Sequence, residues 1–408
     1  MTRPRLWVVS ELYYPEETST GYFLTRIAEG LAEEFDVQVV CSRPTYSERH
    51  LPVAWREERH GTTIHRMRST RMDKDRFVGR VLNLVSFTLA AWLFCARHIR
   101  RGERLLVVTN PPPLPPLLGL LARLRRLRGV LLVHDVYPEV LVATGHARPG
   151  GAVVRLLGAV TRWTYRSYAD VVVLGRDMEE VARPKVAGAA PGRGRLHVIP
   201  NWGDADEIVP IARDANSFRA AHGLEGRAVV QFSGNLGRTH DVESVLDAAA
   251  ATADIPGLTF CFIGYGGKAA LVGERQREAE TGNLVFLPRQ PRAQLGAMLA
   301  SADAAVIAFV DQMYGVSVPS RMYNIMSAGV PIIAMAHPDS ELAQVVREEE
   351  CGWVVGAADA AGIAAIARTL ATPEGLAEAQ RRGARGRDAV LRRFTLPVVA
   401  GAFRDLFR

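Results

Sequence analysis

Short apolar runs alternate with amphipathic stretches along almost the whole chain. RLWVVSEL, DVQVVCS, RLLVVTN, GVLLVHDV, DVVVLG and RLHVIPN read as strands. Between them, TGYFLTRIAEGLAEEF carries apolar residues at helical spacing, and so do residues 76–101, PLLGLLARLRRLRG and AVVRLLGAVTRWTYRSYA. TTIHRMRS adds one extended piece inside a polar stretch. Val/Leu strands without polar alternation predict parallel sheets covered by helices on both faces. The pattern restarts at RAVVQFSG and continues through LTFCFIG, NLVFLP, DAAVIAF, VPIIAM and CGWVVG. Helices are predicted between them at residues 241–252, KAALVGERQREAE, PRAQLGAMLASA, SRMYNIMSAG and SELAQVVREEE, then on to the C-terminus. The turn-rich NWGDADEIVPIARD separates the two alternations, so two doubly wound halves are expected.

In such sheets, ligands bind beyond the carboxyl ends of the strands. The residues there can be read off. Ser19, Thr20 and Gly21 precede the first helix, either turning free N–H groups toward a ligand or leaving Thr20 as a simple cap. His134 and Asp135 follow a buried strand in HDVYPE. In FSGNLGRTHD, Gly234 and Gly237 allow a tight turn and close approach of the backbone to a diphosphate, and Arg238 can neutralise it. Gly264, Gly266, Gly267 and Lys268 repeat the theme one strand later, although a strand–helix turn alone also explains such glycines. Pro319 and Ser320 open the SRMYNIMSAG helix, and Gly329 closes it. Arg321 then lies against the positive helix end. A bound anion removes that conflict; the alternative is a surface arginine on an exposed turn.

Composition narrows the classes. At 408 residues two domains are expected. A formal charge of +7 over this length is modest, so it does not demand nucleic acid; a phosphate ligand or an anionic membrane face accounts for it equally well. Cys41, Cys95, Cys261 and Cys351 sit apart in apolar runs, as buried thiols in a reducing compartment would. The opening MTRPRLWVVSELYYPEE has neither the apolar region nor the cleavage site of a signal peptide. The longest uncharged run, Val81–Ala96, has 16 residues, fewer than the roughly 20 that cross a bilayer, so no spanning helix is expected. Arg76, Arg80, Arg97, Arg100 and Arg101 surround that run, and Arg123, Arg125, Arg126 and Arg128 stand beside leucines in LLGLLARLRRLRG. Such a composition is suited to an anionic cytoplasmic leaflet, or to two helices packed on a sheet with solvated arginines.

ELYYPEETSTG, HDVYPE, VIPNWGD, FSGNLGRTHD, FIGYGG, SVPSRMYNIMSAGVPIIA and CGWVV, in this order, resemble a retaining family 4 glycosyltransferase of the GT-B fold. The similarity covers nearly the whole chain and is strongest to the branch that builds bacterial O-antigen, capsule and exopolysaccharide, fucosamine-transferase-like members included. It implies two facing Rossmann-like domains: residues 1–205 binding the acceptor, 206–390 binding the nucleotide sugar, and a helix at 391–408 crossing back to the first. It also implies a nucleoside-diphosphate-sugar as substrate, no cofactor and no metal. The partners implied are a lipid-linked or saccharide acceptor and peripheral contact with an anionic membrane, without nucleic acid. The enzyme would work in the cytoplasm, at the inner face of the plasma membrane.

By the same resemblance, His134, Asp135, Arg238 and Arg321 are the catalytic candidates. Gly21, Gly234, Asn235, Gly237, Gly264, Gly266 and Ser320 are the donor-binding ones, with Tyr323 and Asn324 beside the ribose and base. Departures are visible. Val316 and Asn324 occupy the positions of two glutamates that many members carry, and Asn235 stands in place of an arginine. The rival readings are a UDP-sugar 2-epimerase of the same fold, disfavoured by the missing carboxylates in GVSVPSRMYN, and a non-catalytic sugar-nucleotide-binding relative.

Overall fold

The structure, a computed structural model, describes residues 3–44, 51–70, 72, 77–279 and 282–408. Arg76 at the head of one expected helix and Glu280 at the tail of another lie outside the described residues. The chain forms two compact units. Unit 1 comprises the chain up to Glu139, Ala147–Pro200 and Leu396–Arg408; unit 2 comprises Val140–His146 and Asn201–Thr395.

Unit 1 begins with β1 (Arg5–Val9), α1 (Ser19–Leu31), β2 (Asp36–Ser42), β3 (Arg56–Arg59), β4 (Thr62–Met67) and α2 (Phe77–His98). It continues with β5 (Arg104–Val108), α3 (Leu114–Leu124), β6 (Arg128–Val133), α4 (Glu139–Ala143), α5 (Ala152–Tyr165), β7 (Asp170–Val173), α6 (Arg176–Val186) and β8 (Arg195–Val198), with α4 falling largely in unit 2. The sheet order is β3-β4-β2-β1-β5-β6-β7-β8. Leu6, Val8, Val39, Leu106, Leu131 and Val172 are fully buried along it, as continuous apolar strands require. The sheet is mixed, which the sequence did not suggest. β3 runs antiparallel to β4, joined by His60 and Gly61, both at positive φ (41° and 78°). Two such residues make the tight turn whose twist matches a hairpin. REER is wholly polar, so its pattern hid the strand. The α6 helix was hidden too, because RDMEEVARPKV is polar and carries Pro184.

α2 packs beside α3, α3 beside α5 and α5 beside α6. Right-handed crossovers place these helices on one face of the sheet. α2 also corrects the count of uncharged residues: Val78–His98, with mean hydropathy 1.6, is long and apolar enough to cross a membrane, because Arg80 and Arg97 sit near its ends. Phe87, Ala91 and Cys95, one helical face, are nevertheless buried in unit 1.

Unit 2 contains α7 (Ser217–Ala221), β9 (Ala228–Asn235), α8 (Val242–Ala251), β10 (Leu258–Tyr265), α9 (Ala269–Glu278), β11 (Leu284–Leu287), α10 (Leu295–Leu299) and β12 (Ala304–Ala308). It ends with α11 (Arg321–Ser327), β13 (Ile332–Met335), α12 (Glu341–Glu348), β14 (Gly352–Val355), α13 (Ala360–Leu370) and α14 (Pro373–Arg393). All its strand pairs are parallel, in the order β11-β10-β9-β12-β13-β14. Val230, Phe232, Phe260, Phe262, Val306 and Ile333 form the core of this sheet. The four cysteines are buried and unpaired.

α14 runs without interruption to Arg393, so a division at 390/391 would cut a helix. α15 (Leu396–Phe407) follows and belongs to unit 1. There it packs on α1. The buried Phe407 ring lies edge-on to Phe35 at 6.1 Å, and its carbonyl accepts Arg104 Nε at 2.7 Å. Arg404 and Arg408 reach Glu33 and Glu34, pairs too exposed to contribute much. Apolar contact therefore dominates this attachment. Phe407→Ala is expected to destabilise unit 1 by about 3–5 kcal/mol, measured by denaturant unfolding. A loss below about 1 kcal/mol would show that α15 is only loosely attached.

Candidate active site

In unit 2, β9 and β10 end side by side. Gly234 pairs with Gly264, and Asn235 with Tyr265. A Cβ on Gly264 would lie 1.9 Å from the Gly234 carbonyl oxygen, and one on Gly266 would lie 2.6 Å from Asn235 Oδ1. One on Gly237 would meet Asn235 Nδ2 at 2.8 Å. The glycines therefore permit an approach of backbone to backbone that no side chain allows.

Gly234 has a further role. Its φ is +126°, and a Cβ there would lie 2.8 Å from Nη1 of Arg321. Arg321, the first residue of α11, reaches under the end of β9. Its Nη1 donates to the Ser233 carbonyl at 3.0 Å, and the guanidinium lies 4.8 Å from the Phe232 ring centre. Its Nε and Nη2 are buried without a hydrogen-bond partner, and among the described residues no carboxylate pairs with it. Burial lowers its pKa to about 10, which still leaves it charged at neutral pH. A buried cation without a counter-ion costs several kcal/mol, a cost that an anion in this cradle would offset.

Two further residues complete the surroundings. His240 lies between the rings of Phe232 (6.0 Å) and Phe309 (5.0 Å), and its Nδ1 is 3.1 Å from Thr239 Oγ1. Burial, then Arg321 and Lys268, push its pKa down to about 2, so the ring is neutral. Lys268 Nζ donates to the His240 carbonyl at 2.7 Å and pairs with Glu243 at 2.6 Å. His240 stands inside the glycine-rich stretch, but nothing in its sequence neighbours marks its burial; that comes from the bridge it forms with Phe309.

Other expected residues lie elsewhere or are otherwise engaged. Asn235, the last residue of β9, and Arg238, in the turn after it, are exposed. Ser320 precedes α11 without capping it through its side chain. Tyr323 is fully buried, its ring 5.0 Å from Phe394, so it packs the interior instead of offering a face to a ribose. Asn324 Oδ1 accepts the Asp204 N–H at 2.9 Å and so holds the NWGD loop. Val316 is buried with Phe309 and Met313.

In unit 1, the expected helix start shifts. α1 begins at Ser19 and its cap is Thr18, whose Oγ1 accepts the Gly21 N–H at 3.3 Å. That donor is therefore used inside the protein. Gly21 is needed because a Cβ would lie 2.8 Å from the Glu16 carbonyl oxygen. After β6, the backbone N–H groups of His134 and Asp135 donate to Thr109 Oγ1 at 3.1 and 3.5 Å. His134 Nε2 is buried without a partner.

This arrangement has known parallels. Residues 20–202 match the model of the glycosyl transferase 4-like domain, and residues 214–387 that of glycosyl transferases group 1. The chain is 31% identical over 352 residues to a Pseudomonas aeruginosa protein named Probable glycosyltransferase WbjE, covering 86% of this chain and 85% of that one. The chain belongs to this glycosyltransferase family. It is also 26% identical over 344 residues to WcaI of Escherichia coli K12, a glycosyl transferase named for colanic acid biosynthesis, covering 82% and 83% of the two chains. Anabaena HepE, solved in complex with UDP, shares the fold with a TM-score of 0.70 at 13% identity, each chain covered to 98%. The GT-B fold implied by the motifs is the fold observed.

In this glycosyltransferase, burial shifts His134 and Asp135 in opposite senses. It lowers the imidazole from 6.5 to about 4 and raises the carboxyl from 3.8 to about 6. The two contribute to stability with opposite signs. The Asp135 contribution is complete below pH 3.8 and is lost as pH rises toward 6; the His134 contribution is complete above pH 6.5 and is lost as pH falls toward 4. Near pH 5 the folded pair holds one proton on the carboxyl and the unfolded pair holds one on the imidazole, so the slopes cancel. Asp135→Asn removes one side of that balance. Its melting temperature should fall faster than wild type as pH drops from 6.5 to 4. Parallel profiles would show that the two shifts do not oppose each other.

Proposed function

We propose that this protein transfers a sugar from a nucleoside diphosphate donor to a lipid-linked or saccharide acceptor in cell-surface polysaccharide synthesis, with retention at the anomeric carbon. The observation that carries this reading is the cradle of Arg321 and Gly234: a buried guanidinium with unpaired N–H groups, beside a backbone cleared of side chains. Names of relatives support the context, since WcaI is named for colanic acid biosynthesis and HepE binds UDP.

In the reaction, the diphosphate leaves and takes up negative charge. Arg321 meets that charge from a site already dehydrated, where an ionic hydrogen bond is worth more than in water. Lys268 is already paired with Glu243, so the second cation is exposed Arg238, which can close on a bound phosphate from the turn. These cations do the work a metal ion does elsewhere, so metal independence is part of the proposal. Unit 2 thus binds the donor, and unit 1 the acceptor. His134, neutral at working pH, donates or accepts a single hydrogen bond to the sugar through Nε2. No side chain is assigned as nucleophile. The leaving phosphate accepts the proton of the attacking hydroxyl on the same face of the sugar, which preserves configuration. The enzyme would act in the cytoplasm, against the inner face of the plasma membrane where lipid-linked acceptors are held.

Calorimetric titration with UDP-, GDP- and dTDP-sugars should find one donor class. For that donor, Arg321→Ala should lower kcat/KM by about 30- to 1,000-fold, equivalent to about 2–4 kcal/mol of transition-state stabilisation. Turnover within twofold of wild type would remove Arg321 from the site. His134→Ala should reduce kcat more than donor affinity; an unchanged rate in a slightly less stable protein would make it structural. Donor hydrolysis compared with and without acceptor separates transfer from a non-catalytic binder.

A further inference from the structure

The outer surface of the α2, α3 and α5 helices is apolar where a water-facing layer should be polar. On α2, Val78, Val81, Leu82, Val85, Leu89 and Leu93 are exposed and recur at helical spacing, Leu93 at 61%. Leu120 and Leu124 continue the stripe on α3, and Leu124 is 72% exposed. On α5, Val153, Leu156, Val160 and Trp163 are exposed, and only Gly158, Thr164 and Tyr165 of its residues are buried. The three helices are neighbours in the order α2, α3, α5. Connected apolar surface on this scale marks an interaction site.

Charge indicates what covers it. The three helices contain no Asp or Glu, and their only charged residues are Arg80, Arg97, Arg123, Arg155 and Arg162. Apolar residues with arginines as the only charged groups on the same helices match an anionic bilayer: the apolar groups enter the acyl boundary and the guanidiniums reach the headgroups. Arg125 is not part of this set, because its guanidinium bonds the Ile99 and Ala96 carbonyls at the end of α2.

An apolar slot of about 70 Å³ lies between α3 and α5. Pro112, Pro116, Leu157, Val160 and Thr161 are among its walls, and it reaches Thr109 and Tyr137. Thr109 is the residue whose hydroxyl holds the His134–Asp135 turn. Val160 belongs both to the slot and to the exposed face. The slot therefore joins the apolar surface to the turn that carries the unit 1 site residues. Its walls are mostly apolar, which suits a hydrocarbon chain better than a sugar ring.

We propose that the outer face of α2, α3 and α5 seats the protein on an anionic bilayer, and that the α3–α5 slot takes in one hydrocarbon chain of a lipid-linked acceptor next to its head group. This rests on the reading of glycosyl transfer to a lipid-linked acceptor and names where that lipid is held. The chain is anchored beside Thr109 and Tyr137, so the attached head group emerges at His134.

Full-length protein should sediment with phosphatidylglycerol vesicles at low salt and much less with phosphatidylcholine. Leu156→Glu with Val160→Glu, both at exposed positions, should weaken that binding by at least about tenfold. Brominated acyl chains should quench tryptophan emission in wild type, and Trp163→Phe should lose part of that quenching. Thr161→Trp, which fills the slot, should keep vesicle binding yet bind farnesyl phosphate or dodecyl phosphate at least about tenfold more weakly. Leu157→Phe gives the same measurement with a smaller intrusion if Thr161→Trp does not fold. A preference for farnesyl phosphate assigns the slot to an isoprenoid chain, and a preference for dodecyl phosphate assigns it to an acyl chain. No sedimentation with anionic vesicles at low salt overturns the docking face. Unchanged binding of both amphiphiles to a folded slot-filled variant overturns the slot. These measurements use neither donor nor turnover. A protein that docks and takes up the chain but transfers no sugar would refute the proposed function alone, and one that transfers sugar to a soluble acceptor but ignores vesicles would refute only this proposal.

Discussion

A charged guanidinium held inside unit 2 without a carboxylate sets the terms for everything around it. Arg321 can occupy that position only because Gly234 has no side chain, since a Cβ there would lie 2.8 Å from Nη1. Ser233 satisfies one N–H group through its carbonyl, and the Phe232 ring lies against the guanidinium face. What remains is unpaired donor capacity and net positive charge in a dehydrated place. Protein interiors rarely keep such an arrangement unless a ligand completes it. A diphosphate has the charge and acceptor geometry to do so.

The rest of the unit keeps that cradle open. Parallel pairing brings Gly264 so close to the Gly234 carbonyl that a side chain on Gly264 is excluded, while Arg321 fills the space beside Gly234. His240 is held neutral between two rings, so it adds no repulsion to Arg321 and Lys268. Val316, Tyr323 and Asn324 support the scaffold: the first two are buried, and the third ties down the Asp204 loop. The missing glutamates of the family pattern thus correspond to positions that this chain uses for packing and loop attachment.

Unit 1 has a different economy of charge. Its His134 and Asp135 are shifted by burial in opposite directions, and a neutral imidazole with an unpaired Nε2 results. Its sheet is covered on one face by helices whose outer surfaces are apolar and free of acids. α2 is as hydrophobic as a spanning helix, but one face is committed to the core through Phe87, Ala91 and Cys95, which leaves Leu89 and Leu93 exposed on the other.

Much of this was legible in the sequence. Apolar runs such as RLLVV and DAAVIA need no partner to declare buried parallel strands, and glycines after a strand declare a tight turn. The position of Arg321 against a helix start pointed to an anion before any contact was known. Local chemistry sufficed there, because period and turn type are properties of a few adjacent residues. It did not suffice for the polar REER strand, whose pairing depends on a hairpin partner, or for Thr18, which competes with Thr20 for the same cap. It also could not separate Arg238, left in solvent, from Arg321, buried under a neighbouring strand, or reveal His240 between Phe232 and Phe309. Sequence alone determined most of the apolar strands and amphipathic helices and which strand ends carry polar chemistry. Only the tertiary structure decided which of those side chains are dehydrated and unpaired, because burial and lost hydrogen-bond partners arise from residues far apart in the chain.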